Sequence, residues 1–177
     1  MKNAHTFSSV YSRLGIDLRD LGCLMIDTES PVESLGHMKP YFSPDPKKFW
    51  VNGVLDNWHA TVRYGFLPGV SADDVDLVLE HVEVPSELEI TGLEVFPSPY
   101  PGEQYDCLVA RVEDARLEAM NAALSVLPNI NTFPIYKAHI TIGYFEAAEN
   151  LEDVVLKEKV GVEYLNYGDK LTRLGST

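Results

Sequence analysis

Two short motifs of the same form, His59-Ala60-Thr61 and His139-Ile140-Thr141, carry side chains suited to acid–base chemistry. The ordinary pKa of imidazole, about 6.5, allows one of two histidines to be neutral and the other protonated near neutral pH. The neutral one can accept a proton from an attacking hydroxyl, and the protonated one can donate to a leaving oxygen. Threonine hydroxyls can donate hydrogen bonds to phosphate oxygens as negative charge develops on them. The motifs therefore indicate cleavage of a phosphodiester without a metal ion.

The repetition of the motif carries the prediction. A single His-x-Thr is more often structural, because threonine favours strands and histidine is tolerated there. Here two copies lie 80 residues apart, and the residues that follow them are similar: Thr61-Val62-Arg63-Tyr64-Gly65 and Thr141-Ile142-Gly143-Tyr144-Phe145. We expect the two imidazoles and the two hydroxyls to converge if their strands lie side by side.

Strand alternation also makes predictions for the residues beside the motifs. Alternate residues of a strand face the same side, so the histidine and threonine of each motif project together. Arg63 has the same parity and is predicted either to reach a phosphate or to be a surface arginine at a strand end. Lys137, just before the second motif, is either a further cation near the site or a solvated flanking charge. Tyr64 and Tyr144 have the opposite parity and are predicted to belong to the core.

Metal-dependent chemistry has no recognisable signature in this chain. There is no His-Glu-x-x-His, no Cys-x-x-Cys and no glycine-rich phosphate loop followed by lysine. The acidic residues Asp73 and Asp74 are better explained as the first turn of a helix. The two cysteines, Cys23 and Cys107, each lie in an apolar run and are predicted to be reduced core thiols. We therefore expect no metal and no cofactor.

The segments around the motifs predict the frame that positions them. Apolar and alternating runs predict strands over 22–27, 58–64, 88–96, 105–112 and 138–145, with one or two more in 160–174. Capping and apolar stripes predict helices over 71–82 and 114–127, and a short one over 151–158. The order predicts an α+β fold: two lobes with pseudo-twofold symmetry around a central groove. We expect one domain over residues 1–177, with an insertion at about 30–57.

Charge narrows the class of partner. The 14 basic and 27 acidic residues give a formal net charge of −13, which would repel a long nucleic acid, although solubility alone explains the value equally well. A short nucleotide feels mainly the local field of its pocket, so a small phosphate-bearing ligand is favoured. No leader and no apolar run of about 18 residues is present, which predicts a cytoplasmic protein without a membrane partner.

At the level of motifs the chain resembles the two-histidine (2H) phosphoesterase superfamily, which includes 2′,3′-cyclic phosphodiesterases and RNA ligase-like proteins. Within it the chain looks most like the family of phage anti-CBASS protein 1, on the basis of Leu21-Gly22-Cys23-Leu24-Met25-Ile26-Asp27 and Asn57-Trp58-His59-Ala60-Thr61. Those proteins degrade the cyclic di- and trinucleotides with which bacteria trigger CBASS, an abortive antiphage defence. The resemblance implies viral immune evasion in the host cytoplasm.

The resemblance also implies roles for residues. His59 and His139 would be the acid–base pair, and Thr61 and Thr141 would bind the phosphate. A C-terminal lid at about 160–174 would close on the nucleotide through Glu163, Tyr164 and Tyr167. Apart from the resemblance, Trp50 in the insertion is a candidate for stacking on a base, with packing against the core as the alternative.

Three functions remain open at this stage. The first is a phosphodiesterase that cleaves 3′–5′ bonds of cyclic di- or trinucleotides. The second is an RNA 2′,3′-cyclic phosphodiesterase or RNA ligase-like enzyme, and the third is a sponge that binds cyclic nucleotides without turnover. The base preference, the assignment of acid and base between the histidines, and the oligomeric state are also open.

Overall fold

A computed structural model describes residues 17, 20–130, 133, 135–147, 150–168 and 170–174. Within these residues the chain forms nine strands and two α-helices, and three short 3₁₀ turns at Pro46–Lys48, Leu124–Val126 and Leu151–Asp153. The strands are β1 (Gly22–Thr28), β2 (Val32–Ser34), β3 (His59–Phe66), β4 (Glu87–Pro97), β5 (Asp106–Val112), β6 (His139–Phe145), β7 (Val155–Leu156), β8 (Lys159–Tyr167) and β9 (Lys170–Arg173). The helices are α1 (Ala72–Leu79) and α2 (Ala115–Ala123).

Seven strands form one antiparallel sheet in the order β1-β3-β6-β5-β4-β8-β9. The first three residues of β8, 159–161, pair with β4, and its later residues pair with β1 at the opposite end of that order. The sheet is therefore curled so that one strand joins both of its ends. The two motif strands, β3 and β6, lie side by side as the second and third strands of this order. The large antiparallel sheet with its two helices confirms the predicted α+β class.

One face of this sheet forms the hydrophobic core with the helices. Leu24, Ile26, Ala60, Val62, Leu108, Ala110, Ile140 and Ile142 are buried on the strands, and Val75, Leu79, Leu117 and Met120 are buried on the helices. Alternation along each strand then directs the intervening side chains to the other face. The catalytic candidates lie on that second face, so packing of the apolar residues decides where the histidines point.

The helices begin where the sequence predicts. The Ser71 hydroxyl accepts a hydrogen bond from the Asp74 amide, and the Asp74 carboxylate accepts one from the Ser71 amide at 2.8 Å. This reciprocal capping box satisfies two amide groups of the first turn. The helix ends at Leu79, three residues before the predicted end. Asp114 caps α2 by accepting from the Arg116 amide at 2.8 Å, and the segment after Ala123 tightens into a 3₁₀ turn before Pro128.

The segment 30–57 is fastened to the second motif strand. The Leu55 amide donates to the Ile142 carbonyl at 3.0 Å, and the Tyr144 amide donates to the Gly53 carbonyl at 2.8 Å. The predicted insertion therefore runs partly as an extended strap alongside β6, where it completes the hydrogen bonding of that strand's edge.

A buried ion pair holds the same strap to the loop between β4 and β5. Glu103 is only 6% exposed, and it accepts hydrogen bonds from the Ser43 hydroxyl and from the Lys48 ammonium at 2.5 Å. The hydrogen bonds from Lys48 and Ser43 lower the pKa of the Glu103 carboxyl. The Lys48 ammonium also lies 4.1 Å from the centre of the Tyr100 ring. These contacts anchor the insertion near Trp50.

The prediction of a helix over 151–158 is wrong for most of that span. Only Leu151–Asp153 form a 3₁₀ turn, and Val155–Leu156 instead form β7, which pairs with β2 in a two-stranded ribbon. Pairing with a partner distant in sequence overrides the local preference. In the described part of the chain, neither helix has the length and apolar character needed to cross a membrane.

Candidate active site

The two motifs lie side by side on the neighbouring strands β3 and β6. Ala60 and Ile140, the middle residues of the motifs, are register partners on β3 and β6, and both are completely buried. His59, Thr61, His139 and Thr141 therefore lie on the opposite face, partly exposed. In an antiparallel pair with this register, each histidine stands beside the threonine of the other motif. The two histidines are then diagonal neighbours, with Cα atoms roughly 7–8 Å apart, and their rings can reach one phosphate between them.

Both imidazoles are held by the same kind of hydrogen bond. The His59 Nδ1 atom lies 3.1 Å from the Asn57 carbonyl oxygen, and the His139 Nδ1 atom lies 3.0 Å from the Lys137 carbonyl oxygen. A carbonyl oxygen can only accept, so in each ring Nδ1 carries a hydrogen and donates it. Nε2 is then the nitrogen available to exchange a proton with a substrate. The backbone two residues before each motif thus orients the ring and selects its reactive atom.

Each motif is followed by a β-bulge, and the bulges are equivalent. In the pairing of β1 with β3, Met25 faces Thr61 and Leu24 faces Arg63, which leaves Val62 without a partner. In the pairing of β5 with β6, Val109 faces Thr141 and Leu108 faces Gly143, which leaves Ile142 unpartnered. A bulge inserts one residue and reverses the alternation of side chains beyond it. We refer to β1 with β3 as the first half, and to β5 with β6 as the second half.

The bulge corrects the prediction for Arg63. Its side chain lies on the helix side of the sheet and is 8% exposed, away from the histidines. Its guanidinium donates to the Asn121 carbonyl at 3.0 Å and to the Asn129 side-chain oxygen at 2.7 Å. Burial lowers the pKa of Arg63. The parity argument failed because Val62 is an extra residue in the strand, so Arg63 joins α2 to β3 instead of facing a substrate.

The same bulges place Tyr64 and Tyr144 on the histidine face, which corrects the prediction that they belong to the core. Tyr64 is paired with Cys23, and Tyr144 with Cys107, and all four side chains are partly exposed. Burial raises the pKa of Tyr144 to about 12 and the pKa of each thiol to about 11. At neutral pH both cysteines are therefore protonated thiols at the floor of the groove.

Thr61 is fixed from two sides. Its hydroxyl is hydrogen-bonded with the Cys23 thiol, which opposes the effect of burial on the pKa of that cysteine. Its backbone carbonyl accepts a hydrogen bond from the Tyr136 hydroxyl at 2.9 Å. On the other motif, the ring of Phe96 meets the ring of His139 edge-to-face, with centroids 5.5 Å apart. These contacts hold the motif residues in place on the strand surface.

Sequence reasoning missed two charged residues of the groove. Asp27 on β1 is the register partner of His59, and Arg111 on β5 is the register partner of His139. A signal was present in the sequence: the runs Cys23-Leu24-Met25-Ile26-Asp27 and Cys107-Leu108-Val109-Ala110-Arg111 match in hydrophobic pattern and end in opposite charges. The guanidinium of Arg111 lies across Gly92, with Nη2 2.9 Å from the point where a Cβ atom would stand.

A cavity of about 230 Å³ opens beside His139. Its lining includes Phe96, the two cationic residues Arg111 and Lys137, and four acidic residues: Glu94, Glu113, Asp114 and Glu118. The Phe96 ring offers a surface on which a base can stack, whereas the four carboxylates of the lining outnumber its two cations. The groove thus offers space next to the second histidine.

The four predicted substrate-binding residues outside the strand motifs are placed differently. Tyr164 pairs with Asp27 and lies on the histidine face, and Glu163 next to it is exposed at a bulge in β8. Tyr167 pairs with the buried Leu24, packs on Phe66 and donates to the Val70 carbonyl at 2.8 Å, so it belongs to the helix side and not to a lid. Trp50 is 44% exposed and packs edge-to-face on Phe49. Substrate contacts of Glu163, Tyr164 and Trp50 stay predictions.

Within the described residues, no group of three or more His, Cys, Asp or Glu side chains lies close enough together to hold a metal ion. The arrangement that the structure provides is instead two oriented imidazoles, two hydroxyls, one carboxylate and one guanidinium around a shared face.

The chain was compared with protein families, curated proteins and solved structures. No protein-family model matches the chain, and no curated protein matches it. A solved structure of Usb1 from Kluyveromyces marxianus is similar over 76% of this chain and 74% of its own, with a TM-score of 0.43 and 10% sequence identity.

Proposed function

We propose that this protein is a phosphodiesterase of the 2H type that cleaves 3′–5′ bonds in small cyclic oligonucleotides without a metal ion. The observation that carries the proposal is the meeting of the two His-x-Thr motifs through the Ala60–Ile140 register pair, with each imidazole anchored at Nδ1 by the same kind of backbone carbonyl. In the proposed reaction the two Nε2 atoms flank the scissile phosphate, which is what in-line displacement at phosphorus requires.

The reaction begins at a ribose 2′-hydroxyl. One Nε2 atom accepts its proton while the oxygen attacks the neighbouring phosphorus, and the bond to the 5′-oxygen breaks on the far side. The other Nε2 atom donates a proton to that leaving oxygen, and a 2′,3′-cyclic phosphate is the first product. Thr61 and Thr141 donate hydrogen bonds to the nonbridging oxygens, where negative charge is greatest in the transition state.

The size and charge of the groove favour a small ligand. The chain carries a net charge of −13, so extended contact with a polyanion is unfavourable, whereas a small ligand meets mainly the groups of its own pocket. A cyclic di- or trinucleotide would place one scissile phosphate between the histidines and a base against Phe96. Degradation of such messengers would counter CBASS defence, and this is the biological role that we propose.

The test is to incubate the purified protein with 3′,3′-cyclic GMP-AMP and with cyclic trinucleotides in EDTA, and to identify products by mass spectrometry. We expect linear products that pass through a 2′,3′-cyclic phosphate. His59→Ala and His139→Ala should each lower the rate by at least about 10²–10⁴-fold. His81→Ala is the matched control, because His81 is exposed just beyond α1 and should retain full activity.

Three results would contradict the proposal in different ways. Loss of activity in EDTA would indicate a metal-dependent reaction. Tight binding of the cyclic nucleotide, unchanged by His59→Ala and without any product, would indicate a sponge. Faster cleavage of linear RNA ends that carry a 2′,3′-cyclic phosphate would favour an RNA-processing enzyme.

A further inference from the structure

The extra residue of each bulge has its carbonyl held from outside the seven-stranded sheet. In the first half the Val62 carbonyl accepts a hydrogen bond from the Asn121 side chain on α2, at 2.7 Å. In the second half the Ile142 carbonyl accepts one from the Leu55 amide of the strap, at 3.0 Å. Two unrelated segments thus supply a donor to equivalent atoms, which indicates that the position of each bulge matters to what the two halves have in common.

The neighbouring carbonyl of the first half is also held by a side chain. The Tyr136 hydroxyl donates to the Thr61 carbonyl at 2.9 Å. Burial raises the pKa of Tyr136, so its hydroxyl keeps its hydrogen and acts as a donor. Two consecutive carbonyls, those of Thr61 and Val62, are therefore fixed by side chains. We refer to Asn121 and Tyr136 together as the clamp.

Both members of the clamp are themselves anchored. Tyr136 packs against the hydrophobic core and lies three residues before His139, whose strand is paired with β5. Asn121 is held by Arg63, whose guanidinium donates to the Asn121 carbonyl at 3.0 Å and to its side-chain oxygen at 3.4 Å. The clamp therefore holds the backbone at Thr61 in a fixed position relative to the second half and to α2.

Strand pairing by itself does not fix the bulge at Val62. Among the described residues, the register between β3 and β6 consists of the single pair Ala60 and Ile140. On the other edge of β3, a bulge placed one residue earlier would change only the pair of Met25 with Thr61. Thr61 would then be the extra residue, and its hydroxyl would no longer face the groove in line with the histidine of its motif.

We propose that Asn121 and Tyr136 are positioning residues of the reaction, which fix the bulge at Val62 and so hold the Thr61 hydroxyl at the scissile phosphate. The inference rests on the proposed function. Each side chain acts through a backbone carbonyl and not on the phosphate itself. A displacement of about 1 Å at a reacting group can cost 10²-fold in rate. Loss of either member of the clamp therefore lowers kcat, whereas binding of the nucleotide depends on the whole groove and changes little.

The first test removes a single oxygen. Tyr136→Phe keeps the ring and loses the hydroxyl, so kcat on 3′,3′-cyclic GMP-AMP should fall about 10–10²-fold with KM nearly unchanged. Tyr167→Phe is the matched control, because the Tyr167 hydroxyl also donates to a backbone carbonyl, that of Val70, at 2.8 Å. Both variants should show a similar loss of stability in urea, and the control should keep its kcat. An unchanged kcat in Tyr136→Phe, or the same fall in Tyr167→Phe, would overturn the proposal.

The second test replaces a donor by an acceptor. Asn121→Asp keeps an oxygen for Arg63 but removes the amide hydrogens that hold the Val62 carbonyl, so kcat should again fall about 10–10²-fold. Asn129→Asp is the matched control. Asn129 also accepts from Arg63, at 2.7 Å, but its amide nitrogen donates to carbonyls of the segment after α2 and not to β3. Retained kcat in Asn121→Asp, or an equal fall in the control, would exclude Asn121 from the clamp.

A double-mutant cycle identifies the residue through which the clamp acts. In a Thr61→Val background, Tyr136→Phe should lower kcat by less than about twofold, because the hydroxyl that Tyr136 positions is already absent. In a Thr141→Val background the same change should keep its full effect. Equal effects in the two backgrounds would show that the clamp does not act through Thr61. Failure of the wild-type protein to cleave the substrate would instead overturn the proposed function, and this inference with it, so the two failures are distinguishable.

Discussion

The first and second halves of the groove place a histidine and a threonine in the same way, but the residues around them differ. Each has a histidine anchored at Nδ1, a threonine two residues on, and a bulge one residue later. Beyond the bulge they diverge. Arg63 in the first half extends under the sheet to Asn121 and Asn129, whereas Gly143 in the second half leaves room for the strap.

This comparison separates the features needed for chemistry from those needed for packing. What repeats between the halves is the set of atoms that can face a phosphate. The residues that follow the bulges differ because their neighbours differ. Arg63 contacts the end of α2 in the first half, and Gly143 contacts the segment at Gly53 in the second half. On the groove side the halves differ in one charged residue: Asp27 is the register partner of His59, and Arg111 is the register partner of His139.

The largest change that we expect is in the turnover of variants at the two threonines, one in each half. Thr61→Val and Thr141→Val each keep the shape and strand preference but remove a hydrogen-bond donor to the phosphate, so kcat should fall about 10²–10³-fold. Steady-state kinetics on a cyclic dinucleotide measures this. Thr172→Val on the edge strand β9 is the control and should retain full activity. Retained activity in both motif variants would show that the threonines do not touch the reacting phosphate.

The next largest effect concerns the packing at Gly143. A Cβ atom there would stand 2.5 Å from the Gly53 carbonyl oxygen and 2.8 Å from the Val54 Cα atom, so the backbone of the strap must shift. Gly143→Ala should lower the free energy of unfolding by about 1–3 kcal/mol in urea titration. Gly102→Ala is the matched control, since no atom lies within 4 Å of its added methyl group. Equal stability of both variants would mean that the strap is not held against β6.

Arg63 is the counterpart of Gly143 in the first half, and its replacement should lower the free energy of unfolding by a similar or slightly smaller amount. The cause there is the loss of hydrogen bonds. Arg63→Met fills much of the same space but leaves the Asn129 side-chain oxygen and the Asn121 carbonyl without their donor. Unfolding in urea should show a loss of about 1–3 kcal/mol, while kcat/KM of the folded protein stays the same. If Arg63→Met instead keeps the stability of the wild type but loses turnover, the prediction from the sequence that Arg63 reaches the phosphate would be correct.

The smallest changes that we expect are in the stability and KM of variants at two tyrosines of β8, which lie on opposite faces of the sheet. Tyr167→Phe removes the hydrogen bond to the Val70 carbonyl and should cost about 0.5–1.5 kcal/mol of unfolding free energy, with no change in kinetics. Tyr164→Phe, on the groove face, should leave stability unchanged and raise KM for the nucleotide. A change in KM from Tyr167→Phe, with none from Tyr164→Phe, would contradict the face that we assign to each.

Much of the fold could be predicted because local patterns and burial agree along most of the chain. Alternation predicts the strands that bear His59 and His139, and the capping residues predict the helix that begins after Ser71. The order of these elements then predicts the α+β class. The helix predicted over 151–158 failed because β7 gains its hydrogen bonds from β2, more than a hundred residues earlier. Contacts at that range leave no local signature.

The sequence by itself determined which residues could do the chemistry: two His-x-Thr motifs, each on a strand whose alternation turns histidine and threonine to one side. The tertiary structure decided which other side chains share that side. The bulges at Val62 and Ile142 turn Arg63 away and bring Tyr64 and Tyr144 in, and the registers of β1 and β5 set Asp27 and Arg111 beside the histidines. A one-residue shift in pairing reverses every side chain beyond it, and that shift is fixed by packing between strands, not by the residues of either strand alone.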